Sequence, residues 1–185
     1  MGCGCRATVT FRSSNSNSLA DYQRTAHAEL SCQTGDVDTL TWRQVDFGSV
    51  VLAGVAGGYL MALVGLWAGR VPGLVAIDVA DHGRKYMVSD RSSAWLIGLL
   101  SHLLNSVLLV LVWAMVVEPN LGIHRILAGL VWGEVLAVVL AGGLVGSLSG
   151  IGFMGLKTAN LRYALTNVLM HTVWGFVIGA LYVPR

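Results

Sequence analysis

Three ionisable side chains of this 185-residue chain lie deep inside long apolar stretches: His102, Glu134 and His171. A charged side chain at the centre of a membrane helix costs about 2.5–3.5 kcal/mol on insertion scales, so each of the three needs a partner or a purpose. His102 follows Ser93 by nine residues, and His171 follows Tyr163 by eight. At about 1.5 Å per helical residue both then lie roughly 12–14 Å from the same membrane face. Glu134 lies about as deep in a stretch that begins on the opposite face. Residues three and four apart share a helix face. Asn105 and Ser106 therefore extend the His102 side, and Asn167 extends the His171 side. The expected site is an intramembrane polar cluster of His102, Asn105, Glu134, Asn167 and His171.

Four chemistries suit such a cluster. The plainest is an interhelical hydrogen-bond network, in which uncharged His and a protonated Glu134 pair with Asn and Ser. A second is a b-type haem with His102 and His171 as axial ligands, since haem iron accepts two imidazoles from different helices. Gly98 and Gly175, each four residues from a histidine, would leave room for the ring. Movement of protons, ions or a solute is a third, with Glu134 as the titrating group. The last is a dry zinc site built from His102, His171 and Glu134.

The elements that must position these residues are membrane spans. Only 22 residues are formally charged, 12 Lys+Arg and 10 Asp+Glu, and the mean hydropathy is +0.66. An ordinary soluble domain carries about 25% charged residues against 12% here, so the composition excludes a disordered chain and a basic nucleic-acid binder. A bilayer core needs about 20 apolar helical residues. Four stretches supply them, at about 47–69, 93–117, 126–150 and 163–183. Soluble amphipathic helices would show a polar stripe, which these lack. The expected fold is all-α: an integral membrane four-helix bundle in contact with the lipid bilayer. Trp42, Trp67, Trp95, Trp113, Tyr163 and Tyr182 fall near span ends, where amphipathic rings prefer the headgroup level.

Spans one and three repeat. Leu52-Ala53-Gly54, Gly58 and Ala62 align without gaps on Leu127-Ala128-Gly129, Gly133 and Ala137, and His102 and Trp113 are spaced like His171 and Tyr182. Two tandem helical hairpins in one orientation follow, related about an axis near the membrane normal. Glycines four apart (Gly54/Gly58, Gly129/Gly133, Gly175/Gly179) predict close backbone packing within the chain. The second span is Leu/Val-rich between Leu103 and Val117 and predicts a face for lipid or a partner subunit.

Pro72-Gly73 ends the first span. From Leu74 to Met87 the pattern is amphipathic, with Asp78, Asp81, His82 and Lys85 on one side, and predicts a helix lying in the interface. Asp78, Asp81 and His82 read as a solvated face rather than a metal site. Residues 1–46 form a polar tail with room for a short helix near 19–31 behind the Ser18/Asp21 capping box. Its Cys3, Cys5 and Cys32 give no disulfide framework. Lys and Arg close to the spans favour loops 70–92 and 151–162 on the cytoplasmic side of a prokaryotic cell membrane.

The chain carries no P-loop, GxSxG, HExxH, CxxC or c-type haem motif. The four-span plan, with Ser101-His102-Leu103-Leu104 in span two and Met170-His171-Thr172-Val173-Trp174-Gly175 in span four, resembles small uncharacterised prokaryotic four-helix integral membrane proteins. The Gly179-Ala180-Leu181-Tyr182 ending adds to that likeness, which covers about 47–185 and implies no activity. The expected role is a non-catalytic accessory or structural subunit of a membrane complex, with other membrane proteins as partners and no nucleic acid. A haem b electron carrier and a small transporter using Glu134 are the alternatives.

Overall fold

The computed structural model describes residues 44–81, 84, 87–158 and 160–184. Four helices among them are long and apolar enough to cross a membrane: α1 (Phe47–Ala68), α2 (Ser92–Leu121), α3 (Arg125–Leu148) and α4 (Leu161–Leu181). Every end falls within four residues of the expected span. The largest shift is at the end of α2, which continues past Pro119 to Leu121. A proline removes one backbone donor and collides with the carbonyl four residues back. Here the turn widens instead of breaking: Trp113–Val117 is π-helical, and the Glu118 N–H reaches back to the Trp113 carbonyl. Gly122 then stops the helix with a left-handed φ of 58°.

The interior is built from small residues. Buried positions of α1 include Ala53, Gly54, Gly57, Gly58, Ala62, Gly65 and Ala68, whereas Leu52, Val55, Tyr59 and Leu66 are exposed. That inversion of soluble practice is what lipid as solvent selects: large apolar groups gain nothing by hiding, and small ones let backbones meet. The chain is thus a small polytopic membrane protein. A methyl group on Gly54 would fall 2.6 Å from the Val107 Cα of α2, and one on Gly58 would fall 2.9 Å from the Ser106 Cβ. On the other hairpin, Gly129 and Gly133 of α3 interlock with the Gly175 and His171 carbonyls of α4. Ser106 and Gly175 occupy corresponding places in the sequence repeat, and each meets the second glycine of its partner's pair.

Helix α1 packs on both α2 and α4, and α4 packs on both α1 and α3. Helices α2 and α3 come together mainly at the end joined by their short turn, where Arg125–Leu136 meets Trp113–Leu121. The indole N–H of Trp132 donates to the Leu109 carbonyl across this junction at 3.3 Å. Towards the other face the two helices diverge. A two-fold relation between the hairpins would match the close α1–α4 interface with a close α3–α2 interface, and the second is missing over that half. Two features of sequence account for it. Helix α2 has a single glycine before Pro119, Gly98, and so no pair of glycines four apart; beside Gly98 its gap-facing side carries Ile97, Ser101, His102 and Asn105. Two glycines of α3 in that half, Gly142 and Gly146, are covered by Met154 and Gly152 of the connection to α4 rather than by α2.

The loop after α1 differs from expectation. Leu74 to Asp78 is not helical; among the described residues of this loop, only Asp81, Arg84 and Met87 are. Gly73 turns the chain with φ of 91°, and the backbone then lies against the bundle. The Ile77 N–H donates to the Gly65 carbonyl at 2.9 Å, and the Val75 N–H donates to the Thr166 hydroxyl at 3.0 Å. Backbone donors finding acceptors on α1 and α4 outweigh the amphipathic pattern, which registers side chains only. Asp78 pins the segment, accepting from the Ala80 N–H and from the Trp95 indole, both at 2.9 Å. His82 and Lys85, and the whole of residues 1–43 with their cysteines, lie outside the described residues.

Two of the expected interface rings are interior. Trp113 and Tyr182 are fully buried and meet edge to face, with centroids 5.2 Å apart at 78°. Neither the Trp113 N–H nor the Tyr182 hydroxyl has a hydrogen-bond partner among the described residues. Tyr182 follows the last residue of α4. Burial raises its phenol pKa above the usual value near 10, the Glu118 and Asp46 carboxylates push the same way, and Arg125 works against them. A pKa raised on folding means stability that is whole below about pH 10 and is lost as pH rises through the folded value. Tyr182→Phe is therefore expected to leave the fold as stable at neutral pH or more so by about 1 kcal/mol. It should also remove this alkaline loss. Thermal unfolding in detergent from pH 7 to about 11 reads both effects.

A candidate binding cavity between the diverging helices

His102 is the eleventh residue of α2 and His171 the eleventh of α4. Both helices start on one face, so both imidazoles come at the same depth. The space where α2 and α3 diverge is a cavity of about 440 Å³, and both histidines line it. That size lies within the roughly 300–1,000 Å³ of small-molecule sites. Ser101, Asn105, Ser106, Asn167 and Tyr163 add polar groups, while Met61, Met170, Leu136 and Leu140 are among the apolar ones. Ile77 and Val79, from the loop that folds back on the bundle, close the end towards the membrane face. No Asp, Glu, Lys or Arg among the described residues lines the cavity.

The walls are held by hydrogen bonds that cross between helices. The Trp174 indole N–H of α4 donates to the Ser106 hydroxyl of α2 at 2.6 Å, and that hydroxyl donates to the Gly54 carbonyl of α1 at 2.7 Å. One serine thereby ties three helices together. Asn167 donates its amide to the Ala137 carbonyl at 2.8 Å. Ala137 opens the π-helical stretch Ala137–Val145, where the wider turn displaces backbone carbonyls from their usual donors. Asn167 therefore supports the distortion that helps α3 swing away from α2.

Each histidine is oriented by a backbone carbonyl. His171 Nδ1 donates to the Asn167 carbonyl at 2.9 Å, one turn back on its own helix. His102 Nε2 donates to the Gly58 carbonyl of α1 at 3.1 Å. Carbonyls only accept, so the donating ring nitrogen is fixed in both cases.

Of the five residues expected to cluster, His102, Asn105, Asn167 and His171 share this cavity, and Glu134 does not. Glu134 turns to another side of α3 and pairs with the Thr172 hydroxyl at 2.6 Å. That hydroxyl is also 2.9 Å from the Val168 carbonyl, and its single proton serves one of the two at a time. Glu134 thus has no direct part in the cavity. Without it, the zinc alternative loses its third donor, and among the described residues no three His, Cys, Asp or Glu side chains converge. The fit to a bis-histidine haem is partial. His171 keeps Nε2 for a ligand, but His102 has its own Nε2 turned to Gly58. Gly98 lines the cavity, whereas Gly175 is packed against Gly129 and leaves no space beside a ring. Trp174, Tyr163 and the loop residues Ile77 and Val79 are walls that spacing and hydropathy do not mark. An indole one turn from His171 was the available hint for the first.

Neither a protein-family model, a curated protein nor a solved structure matches this chain.

Proposed function

We propose that this membrane protein is a non-catalytic binding subunit that holds a small molecule drawn from the bilayer in the cavity between α2 and α3. The observation that carries this reading is the divergence of the two helices over a cavity with polar groups on its wall. Membrane helices that part without reason leave lipid-accessible polar atoms unsatisfied, which is expensive. Ser101 and Asn105 are both exposed at this opening, with Ile97 beside them. A bound molecule would satisfy them. The role also suits the accessory subunit that the sequence suggests, and the exposed Leu96, Leu100, Leu104 and Leu108 of α2 give lipid or a partner subunit a surface. The Lys and Arg beside the spans support a cytoplasmic side for loops 70–92 and 151–162, and in this reading the cavity opens nearer that face.

Native mass spectrometry of the full chain, purified in mild detergent, tests this directly. A discrete small-molecule adduct is expected on the wild type, retained in Glu134→Gln because Glu134 lies off the cavity. A wild-type protein carrying only detergent and bulk phospholipid would sink the reading. An absorption spectrum of the same sample separates the haem alternative, which requires a Soret band.

A further inference from the structure

The hydrogen-bond directions inside the cavity narrow the class of molecule it suits. His171 spends its Nδ1 proton on the Asn167 carbonyl. In the uncharged imidazole, favoured away from water, the other nitrogen then carries a lone pair and no proton. His171 Nε2 is therefore an acceptor, and it has no hydrogen-bond partner among the described residues. Asn105 lines the same cavity from α2, is exposed to it, and its amide likewise has no partner among the described residues. That amide both donates and accepts. Tyr163 adds a third unpartnered polar group near the cavity's outer end.

From this pattern we infer that the cavity receives a neutral amphiphile whose polar end is a hydroxyl group. The hydroxyl donates to His171 Nε2 and accepts from the Asn105 amide. The inference rests on the binding role proposed above. A ketone, ester or ether has no proton to give to Nε2. A carboxylate would meet no cation among the described lining residues, and an ammonium would meet no anion. The apolar body lies against Leu109, Leu136 and Leu140, with Met61 and Met170 adapting to its outline. A longer alkyl chain leaves through the α2–α3 gap into lipid.

Photolabelling of the full chain in phosphatidylcholine vesicles decides the matter. The probes are hexadecanol bearing a diazirine, its methyl ether and the matching hexadecanoic acid, and labelled residues are mapped by peptide mass spectrometry. The alcohol is expected to label cavity residues about tenfold more than the ether or the acid, the ratio one hydrogen bond supports. His171→Phe and Asn105→Leu should each bring the alcohol down to the ether's level. Asn105 is exposed and Leu suits a membrane helix, so that variant stays informative if His171→Phe fails to fold. Equal labelling by alcohol, ether and acid overturns the hydroxyl inference and leaves the binding role standing. Absence of cavity labelling by every probe counts against both. An alcohol preference that survives in the folded variants overturns the assignment to His171 and Asn105.

Discussion

Valine in place of Gly175 is expected to take the α3–α4 hairpin apart. A Cβ at that position would collide with the Gly129 carbonyl oxygen and sit 3.0 Å from both the Gly129 carbonyl carbon and the Leu130 Cα. All of these are backbone atoms, which cannot rotate aside as a side chain can. The fit is reciprocal, because a Cβ on Gly129 would strike the Gly175 carbonyl. Overpacking of well-fitted interiors typically costs about 1–3 kcal/mol. Rigid backbone on both sides puts this site at the upper end, about 3 kcal/mol. Reversible unfolding in mixed micelles measures it, with Gly48→Ala as the contrasting variant. At Gly48 the nearest atom to a new Cβ is the Asp46 carboxylate at 3.2 Å, so little change is expected there. Near-wild-type stability in Gly175→Val would mean that the glycine interlock does not hold the hairpin.

Ala141→Phe should empty the cavity without unfolding the protein. Ala141 lies in the π-helical stretch of α3, and its methyl group lines the cavity. A benzyl group there occupies space the ligand needs, and it adds apolar contacts where the wild type has a void. Loss of the small-molecule adduct by at least about tenfold, a change of about 1.4 kcal/mol in binding, is expected with thermal stability maintained or raised. An adduct of undiminished intensity would place the ligand elsewhere on the protein.

The spans were legible because length and hydropathy are properties of the chain alone. The glycine pairs were legible too: spacing of four puts two residues on one face whatever the neighbour is. His102 and His171 could be set at one depth, since depth needs only a residue count from a common face. Glu134 and the segment from Leu74 differ from expectation because neither depth nor periodicity records what a neighbouring element offers. Depth groups Glu134 with the histidines but says nothing about rotation around the helix axis. A turn of α3 that docks Gly129 and Gly133 onto α4 carries Glu134 to Thr172 instead. Side-chain periodicity predicts a helix from Leu74, while the segment's course is set by backbone donors that find acceptors on Gly65 and Thr166.

The sequence by itself thus determined four membrane helices, two similar hairpins, the small-residue faces that close them and two histidines at one level. Tertiary structure alone decided which polar groups meet, which nitrogen of each histidine is committed, and that a cavity exists. The physical reason lies in the range of the forces. Hydropathy and helical period act within about one turn to one span. The cavity arises from a contact that is absent: α2 has no glycine pair to interlock with α3, and Met154 and Gly152 cover Gly142 and Gly146 of α3. An absence of that kind depends on three segments at once, and no single stretch of the chain records it.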